Sequence, residues 1–178
     1  MGGGIRKSEV FHIYDIDISL NKDNKLSVRV YHPAYGVSPD PLYQNREEFL
    51  RAKFQLKPRH MYPLSKRLFA GWKDPLLTSK EHYFEVIFSS KKASLAFREA
   101  YTNYLLHQRV DPPSSAPHPY AFTNQKGEPE TIKNFQRLHK LAVERIGLTC
   151  LKNLGTTEHA HRHSYGYRLV GLGFTPVE

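Results

Sequence analysis

Apolar and polar positions alternate along Leu26-Ser27-Val28-Arg29-Val30-Tyr31, a pattern that predicts a half-buried strand ended by Pro33. His82-Tyr83-Phe84-Glu85-Val86-Ile87-Phe88 reads as a second strand. Elsewhere the spacing is helical. A helix is expected just after Gly2-Gly3-Gly4, carrying Arg6, Ser8, Glu9, Val10, Phe11 and Ile13. A short amphipathic helix is expected from about Arg46 to Phe54, and another from about Ala93 to Leu106, with Leu95, Phe97, Ala100 and Tyr104 as its buried stripe. A long helix covers roughly Thr131 to Ile146, with Ile132, Phe135, Leu138, Leu141, Ala142 and Ile146 on one face and Gly147 as its C-cap. The last helix follows a histidine triplet and stops near Gly171-Leu172-Gly173, and Pro176 could open another.

Turn chemistry separates these elements. Asp15-Ile16-Asp17-Ile18 leads to Asn21-Lys22-Asp23-Asn24, whose side chains favour turns. Residues 33–45 hold Pro33, Gly36, Pro39 and Pro41, and a second irregular stretch runs through Pro58, Pro63 and Gly71 to Pro75. Pro112-Pro113-Ser114-Ser115-Ala116-Pro117 reads as an exposed loop, Tyr120 to Asn124 as a short extended piece, and Gly127 as a turn. The sum is a mostly helical α+β domain with one small antiparallel sheet.

Composition narrows the class. At 178 residues, 39% hydrophobic and 12% aromatic, the chain is long and apolar enough for one domain with a core of its own. No apolar run approaches the ~20 residues that span a bilayer. Residues 1–12 contain Arg6, Lys7 and Glu9 and no apolar segment, so a secretory signal is not expected. One cysteine, Cys150, excludes an internal disulfide framework and fits a reducing compartment. A formal charge of +9 and a pI near 9.6 suggest a polyanionic partner, nucleic acid first, against the plainer reading of a merely solvated basic surface. The basic residues (Lys53, Lys57, Arg59, Lys66, Arg67, Lys73, Lys91, Lys92) are spread along the body, which suits a DNA-facing surface better than a disordered arm.

The densest chemistry is Glu158-His159-Ala160-His161-Arg162-His163. On a helix His159, Arg162 and His163 share a face. Three readings compete. His159 and His163 at i, i+4 could grip zinc, but Arg162 between them opposes a dication and Glu158 points off that face. The run could be a polar helix face with satisfied histidines. Or it serves phosphoryl transfer, with Arg162 clamping oxygens through its planar fork and His159 exchanging a proton near neutral pH. At the other end, Gly4-Ile5-Arg6-Lys7-Ser8-Glu9 places an arginine at a glycine-led helix start, with Glu9 able to pin it.

Together these boxes resemble the tyrosine recombinase, or phage integrase, family. Its first arginine box, Gly-x-Arg-x-Ser-Glu, is matched by Gly4 to Glu9, and its second, His-x-x-Arg-His, by His159 to His163. The resemblance covers nearly the whole chain and implies the DNA breaking–rejoining catalytic-domain fold, working through a phosphotyrosyl intermediate with no metal and no cofactor. It implies that Arg6 and Arg162 grip the scissile phosphate, that His159 does acid–base work and that His163 lies on the DNA. A lysine would protonate the leaving oxygen. Lys73 is the candidate, in the loop before the second strand, with Lys53 and Lys57 behind it. The stretch from Pro33 to Trp72 then looks like an insertion, residues 33–72, in the strand connection.

The family's nucleophilic tyrosine lies in a helix beyond the second box. Tyr165 and Tyr167 fall too close to Arg162 for that place, and Tyr165 is expected to pack. The expectation is therefore a partial catalytic domain over 1–178, truncated at both ends, that binds double-stranded DNA and cleaves nothing by itself. A non-enzymatic DNA-binding remnant, and a zinc-dependent hydrolase, are the alternatives. Homo-oligomers on DNA, no membrane, no small-molecule substrate and a bacterial cytoplasmic, nucleoid-associated location complete the expectation. Leu169, Val170 and Leu172 are expected to be exposed apolar surface calling for a partner or limiting solubility.

Overall fold

A computed structural model describes residues 3–21 and 25–174. Gly2, Lys22, Asp23 and Asn24 of the expected turn, and Pro176 lie outside them. The described chain is an α+β arrangement of five helices, two 3-10 turns and one three-stranded antiparallel sheet.

The sheet runs β1 (Ile18–Leu20), β2 (Leu26–Tyr31), β3 (Tyr83–Glu85), with β2 central. Ile18 pairs with Val28 and Phe84 with Val30. Val28 and Val30 enter a core with Ile13, Val86 and Ala121, and burying each valine contributes about 1.5–3 kcal/mol. Ser27 and Tyr31 are buried as well, so β2 is covered more fully than the half-buried strand its alternation predicts, and Arg29 alone is exposed. The second strand is shorter than expected. Val86 still donates to the Val28 carbonyl at 2.8 Å, after which the chain leaves for the N-cap Ser90 of α3. β1 was hidden in the sequence, where Asp15 to Ile18 reads only as an approach to a turn.

The first helix is also shorter than its pattern. α1 spans Lys7–Val10. Beyond it Phe11, Ile13 and Tyr14 turn into the core, and Ala121 donates to the Ile13 carbonyl at 3.0 Å while Tyr14 bridges Tyr120. Tertiary pairing with the 118–121 segment overrides helical propensity there.

α2 (Arg46–Phe54) occupies the expected span, capped by the Asn45 side chain. It belongs to residues 33–72, which leave β2 and return toward β3, its neighbour in the sheet. Phe49 and Leu50 form a second cluster with Tyr14 and Tyr120. Arg46 is buried, bonded through both terminal nitrogens to Asp17 (Nη1 at 2.8 Å) and sandwiched between the rings of Tyr14 and Tyr31 at 4.2 and 3.9 Å. Arg59 is buried too, donating to the carbonyls of Leu68, Phe11 and Glu130.

α3 (Lys91–His107), α4 (Ile132–Arg145) and α5 (Ala160–Gly171) follow. In α3, Leu95 and Ala100 face solvent, contrary to the expected stripe. Phe97 and Tyr104 of that stripe do turn inward, joined by Tyr101, with Phe97 5.5 Å from Phe88 and Tyr104 Oη accepting from Thr123 N at 2.9 Å. Aromatics that can stack and hydrogen-bond outcompete the leucine for burial. α4 does carry its apolar face, but Leu138 (46% exposed) and Ile146 (72%) are uncovered. Gly147, at φ 79°, closes α4 in the left-handed region as its C-cap role requires.

Candidate functional site

The glycine-led start is built around a buried carboxylate. Gly4 takes φ 62°, and Arg6 then stands as the N-cap of α1. Glu9, buried, accepts from the Arg6 backbone N–H at 2.6 Å and from its Nη1 at 2.8 Å. One carboxylate thus caps the helix and orients the guanidinium. Arg6 keeps 36% of its side chain in solvent, and among the described residues its Nε and Nη2 make no further hydrogen bond.

The second box arrives from the far end of the chain. A loop before it is shaped by Thr156, whose hydroxyl donates to the Thr149 carbonyl at 2.6 Å and accepts from Leu151 N at 2.9 Å. Glu158 then pairs with Lys7 and accepts from Gln136 Nε2 at 2.7 Å. Burial works against its ionisation, but the Lys7 and Gln136 contacts outweigh it and hold the carboxyl down at about 2.

Arg162 Nη1 donates to the Gly4 carbonyl at 2.7 Å, a contact across 158 positions of sequence. Tyr165 packs its ring over Gly4 and donates its hydroxyl to the Ile87 carbonyl at 2.9 Å. A Cβ on Gly4 would collide with that ring, so the position needs glycine for space as well as for its left-handed backbone. Burial pushes the Tyr165 hydroxyl up against the opposing pull of Arg162. The two boxes therefore meet where Arg162 rests on Gly4, with the Lys7–Glu158 pair joining the same two segments.

The histidines divide. His159 and His163 are exposed, their rings perpendicular and 4.6 Å apart. His161 turns to α4, its Nε2 3.1 Å from His139 Nε2, and burial lowers its pKa. Lys73 is not brought to the arginines by any bond. It is exposed in the loop before β3, and among the described residues no hydrogen bond or ion pair ties it to Arg6 or Arg162. Lys53 pairs with Asp40 at 3.6 Å, and Lys57 is exposed.

Lys7, Gln136 and His139 were missed by sequence reasoning. Nothing in local spacing points to them, because each acts through a partner on α5 or just before it. Chemically, the arrangement offers two guanidinium groups, one braced by a carboxylate and one by a carbonyl, beside two exposed imidazoles. That donor set suits an oxyanion with several acceptor oxygens. Among the described residues, no helix is long and apolar enough to cross a membrane.

No family model and no curated protein matches the chain. Among solved structures it is similar to the Tn1549 transposon integrase in complex with circular intermediate DNA, at 19% identity and a TM-score of 0.48 over 98% of this chain and 44% of that one. A variant of the same integrase in complex with transposon right end DNA gives 19% identity and a TM-score of 0.49, over 98% and 45%. The chain spans less than half the length of either.

Proposed function

We propose that this chain is the phosphate-gripping portion of a tyrosine recombinase catalytic domain, and that Arg6 and Arg162 clamp a DNA phosphodiester. One observation carries the reading: Arg162 is docked on the carbonyl of Gly4, so the two arginine-bearing boxes share one surface. His159 lies beside Arg162 at the start of α5 and is the acid–base group, with His163 on the DNA. Lys73 is assigned as the proton donor to the leaving oxygen. The partner is double-stranded DNA, in keeping with the formal charge of +9.

The chain supplies the grip and not the nucleophile. Tyr165 commits its hydroxyl to Ile87, and Tyr167 stands 85% exposed on α5. Fluorescence anisotropy with a duplex across a salt series tests the grip. Arg6→Ala and Arg162→Ala are each expected to weaken binding about tenfold and to flatten the salt slope by about one, as loss of a phosphate contact does. Wild-type affinity in both variants would sink the reading. A covalent adduct on suicide-nicked DNA would refute the absence of a nucleophile.

A further inference from the structure

Four aromatic rings from four separate segments close on one another beside Lys73. His12 follows α1, His32 follows β2, His60 sits in the 3-10 turn Arg59–Met61, and Trp72 immediately precedes Lys73. The contacts run in a circuit. Ring centroids are 5.5 Å apart for His12 and Trp72, 5.4 Å for Trp72 and His32, 5.8 Å for His32 and His60, and 6.3 Å for His60 and His12, every pair edge to face. His12 is buried, and its Nε2 lies 3.4 Å from the Gly71 carbonyl. The segment that continues from Arg6 thereby holds the backbone of the Lys73 loop.

Among the described residues, three polar atoms of this circuit are buried with no hydrogen-bond partner: His12 Nδ1, His60 Nδ1 and Trp72 Nε1. Unpaired buried polar atoms lower the stability of a folded protein, so this cluster is held by ring packing with little help from hydrogen bonds. The cluster also tolerates charge poorly. Burial, then the Arg59 guanidinium, then His60 hold His12 down to about 3, against the Gly71 and Ala70 carbonyls. Burial lowers His32, with His60 and His82 adding to it and Asp74 opposing, and it lowers His60 against Asp74 and Glu47.

We propose that His12 and Trp72 are positioning residues: the four-ring latch holds the loop from Ala70 to Asp74, and with it Lys73, against the segment that carries Arg6, and does so while its histidines are neutral. The proposal rests on the assignment of Lys73 to the phosphodiester site. Folded-state pKa values below the ordinary histidine value make the latch complete above about pH 6.5 and progressively weaker as pH falls toward the folded values.

Trp72 is the one tryptophan in the sequence, so its emission reports the latch alone. Acrylamide quenching of wild type is expected to rise about threefold between roughly pH 7.5 and 5 with far-UV circular dichroism unchanged, as local opening requires. His12→Asn and the half-buried His60→Asn should quench at the open level throughout. A flat wild-type curve overturns the latch, and so does wild-type pH dependence in His60→Asn. Duplex binding tests the positioning. Lys73→Ala and Trp72→Phe are each expected to lose about fivefold, and the double variant no more than Lys73→Ala, since a loop without its lysine has nothing to position. Additive losses overturn the positioning role. Wild-type binding by Lys73→Ala overturns it together with the assignment of Lys73, and leaves the Arg6–Arg162 grip to its own test.

Discussion

Around Arg6 the chain is packed as an interior: Phe11, Ile13, Val28, Val30 and Ala121 are buried, and the Arg46–Asp17 pair is sealed behind them. Around Arg162 the packing is that of a surface. α3, α4 and α5 bury none of their residues. α5 is held instead by directional contacts: Arg162 on Gly4, Glu158 on Lys7, Tyr165 on Ile87 and His161 on His139. One arginine of the proposed grip is thus braced by a buried carboxylate on the packed half, and the other by a few hydrogen bonds on the open half. The second is expected to respond to pH, salt or a single substitution without unfolding the first.

Removing Arg46 gives the largest contrast. Arg46→Ala leaves Asp17 buried and unpaired and empties the space between Tyr14 and Tyr31. Losing one partner of a buried pair costs about 3–5 kcal/mol. Leu138→Ala on α4 should cost less than about 1 kcal/mol, because the side chain is already half in water. Urea denaturation of both variants checks this. Equal losses would mean that the two regions do not differ in packing.

Gly4→Ala cuts at the join between them. The new methyl meets the Tyr165 ring, at a backbone angle that L-residues avoid. A local cost of about 1–3 kcal/mol is expected, falling on the docking of α5. Hydrogen exchange should accelerate in α5 while the amides of β2 keep their protection. Acceleration in both would show one cooperative unit in place of two.

This contrast also explains what the sequence disclosed. β2 and α2 were legible because their side chains pack as their periodicity implies, Val28 and Val30 inward and Phe49 and Leu50 inward. The two arginine boxes were legible because each is local. Their meeting at Gly4 was not, since a contact across 158 positions leaves no trace in spacing. The extent of α1 was misread because the bonds from Ala121 N to the Ile13 carbonyl and from Asp15 N to the Pro119 carbonyl hold Tyr14 in an extended bridge with Tyr120. The stripe of α3 was legible at Phe97 and Tyr104 and misread at Leu95 and Ala100, because hydrophobicity alone ranks Leu95 above Tyr101, whereas the structure selects rings that stack.

Acid should separate the regions more gently. Glu158 is held at about 2, below the ordinary value of 4.5. A carboxyl depressed in the fold lends stability that is fully present above about pH 4.5 and is lost as pH falls toward 2. Its partial exposure limits the effect to about 1 kcal/mol or less. Protection factors in α5, taken relative to the intrinsic exchange rate at each pH, should therefore fall between roughly pH 5 and 3 in wild type. Glu158→Gln should lower them already at neutral pH and remove their pH dependence. A titration of α5 unchanged by Glu158→Gln would place the acid sensitivity elsewhere.

The smallest expected effect falls on a face that no described residue covers. Val170 is 61% and Leu172 64% exposed at the end of α5, and Leu138 and Leu141 are exposed on α4. Hydrophobic side chains left in water add little to folding, so Val170→Ser with Leu172→Ser should leave the melting temperature within the change that about 0.5 kcal/mol produces. Their cost lies in association, because contiguous exposed apolar surface favours contact between molecules. Light scattering across a concentration series should show self-association in wild type that the double serine variant reduces. A sharp fall in melting temperature instead would mean that these side chains are packed in solution, and the contrast between a buried half and an open half would fail at α5, where it bears on Arg162.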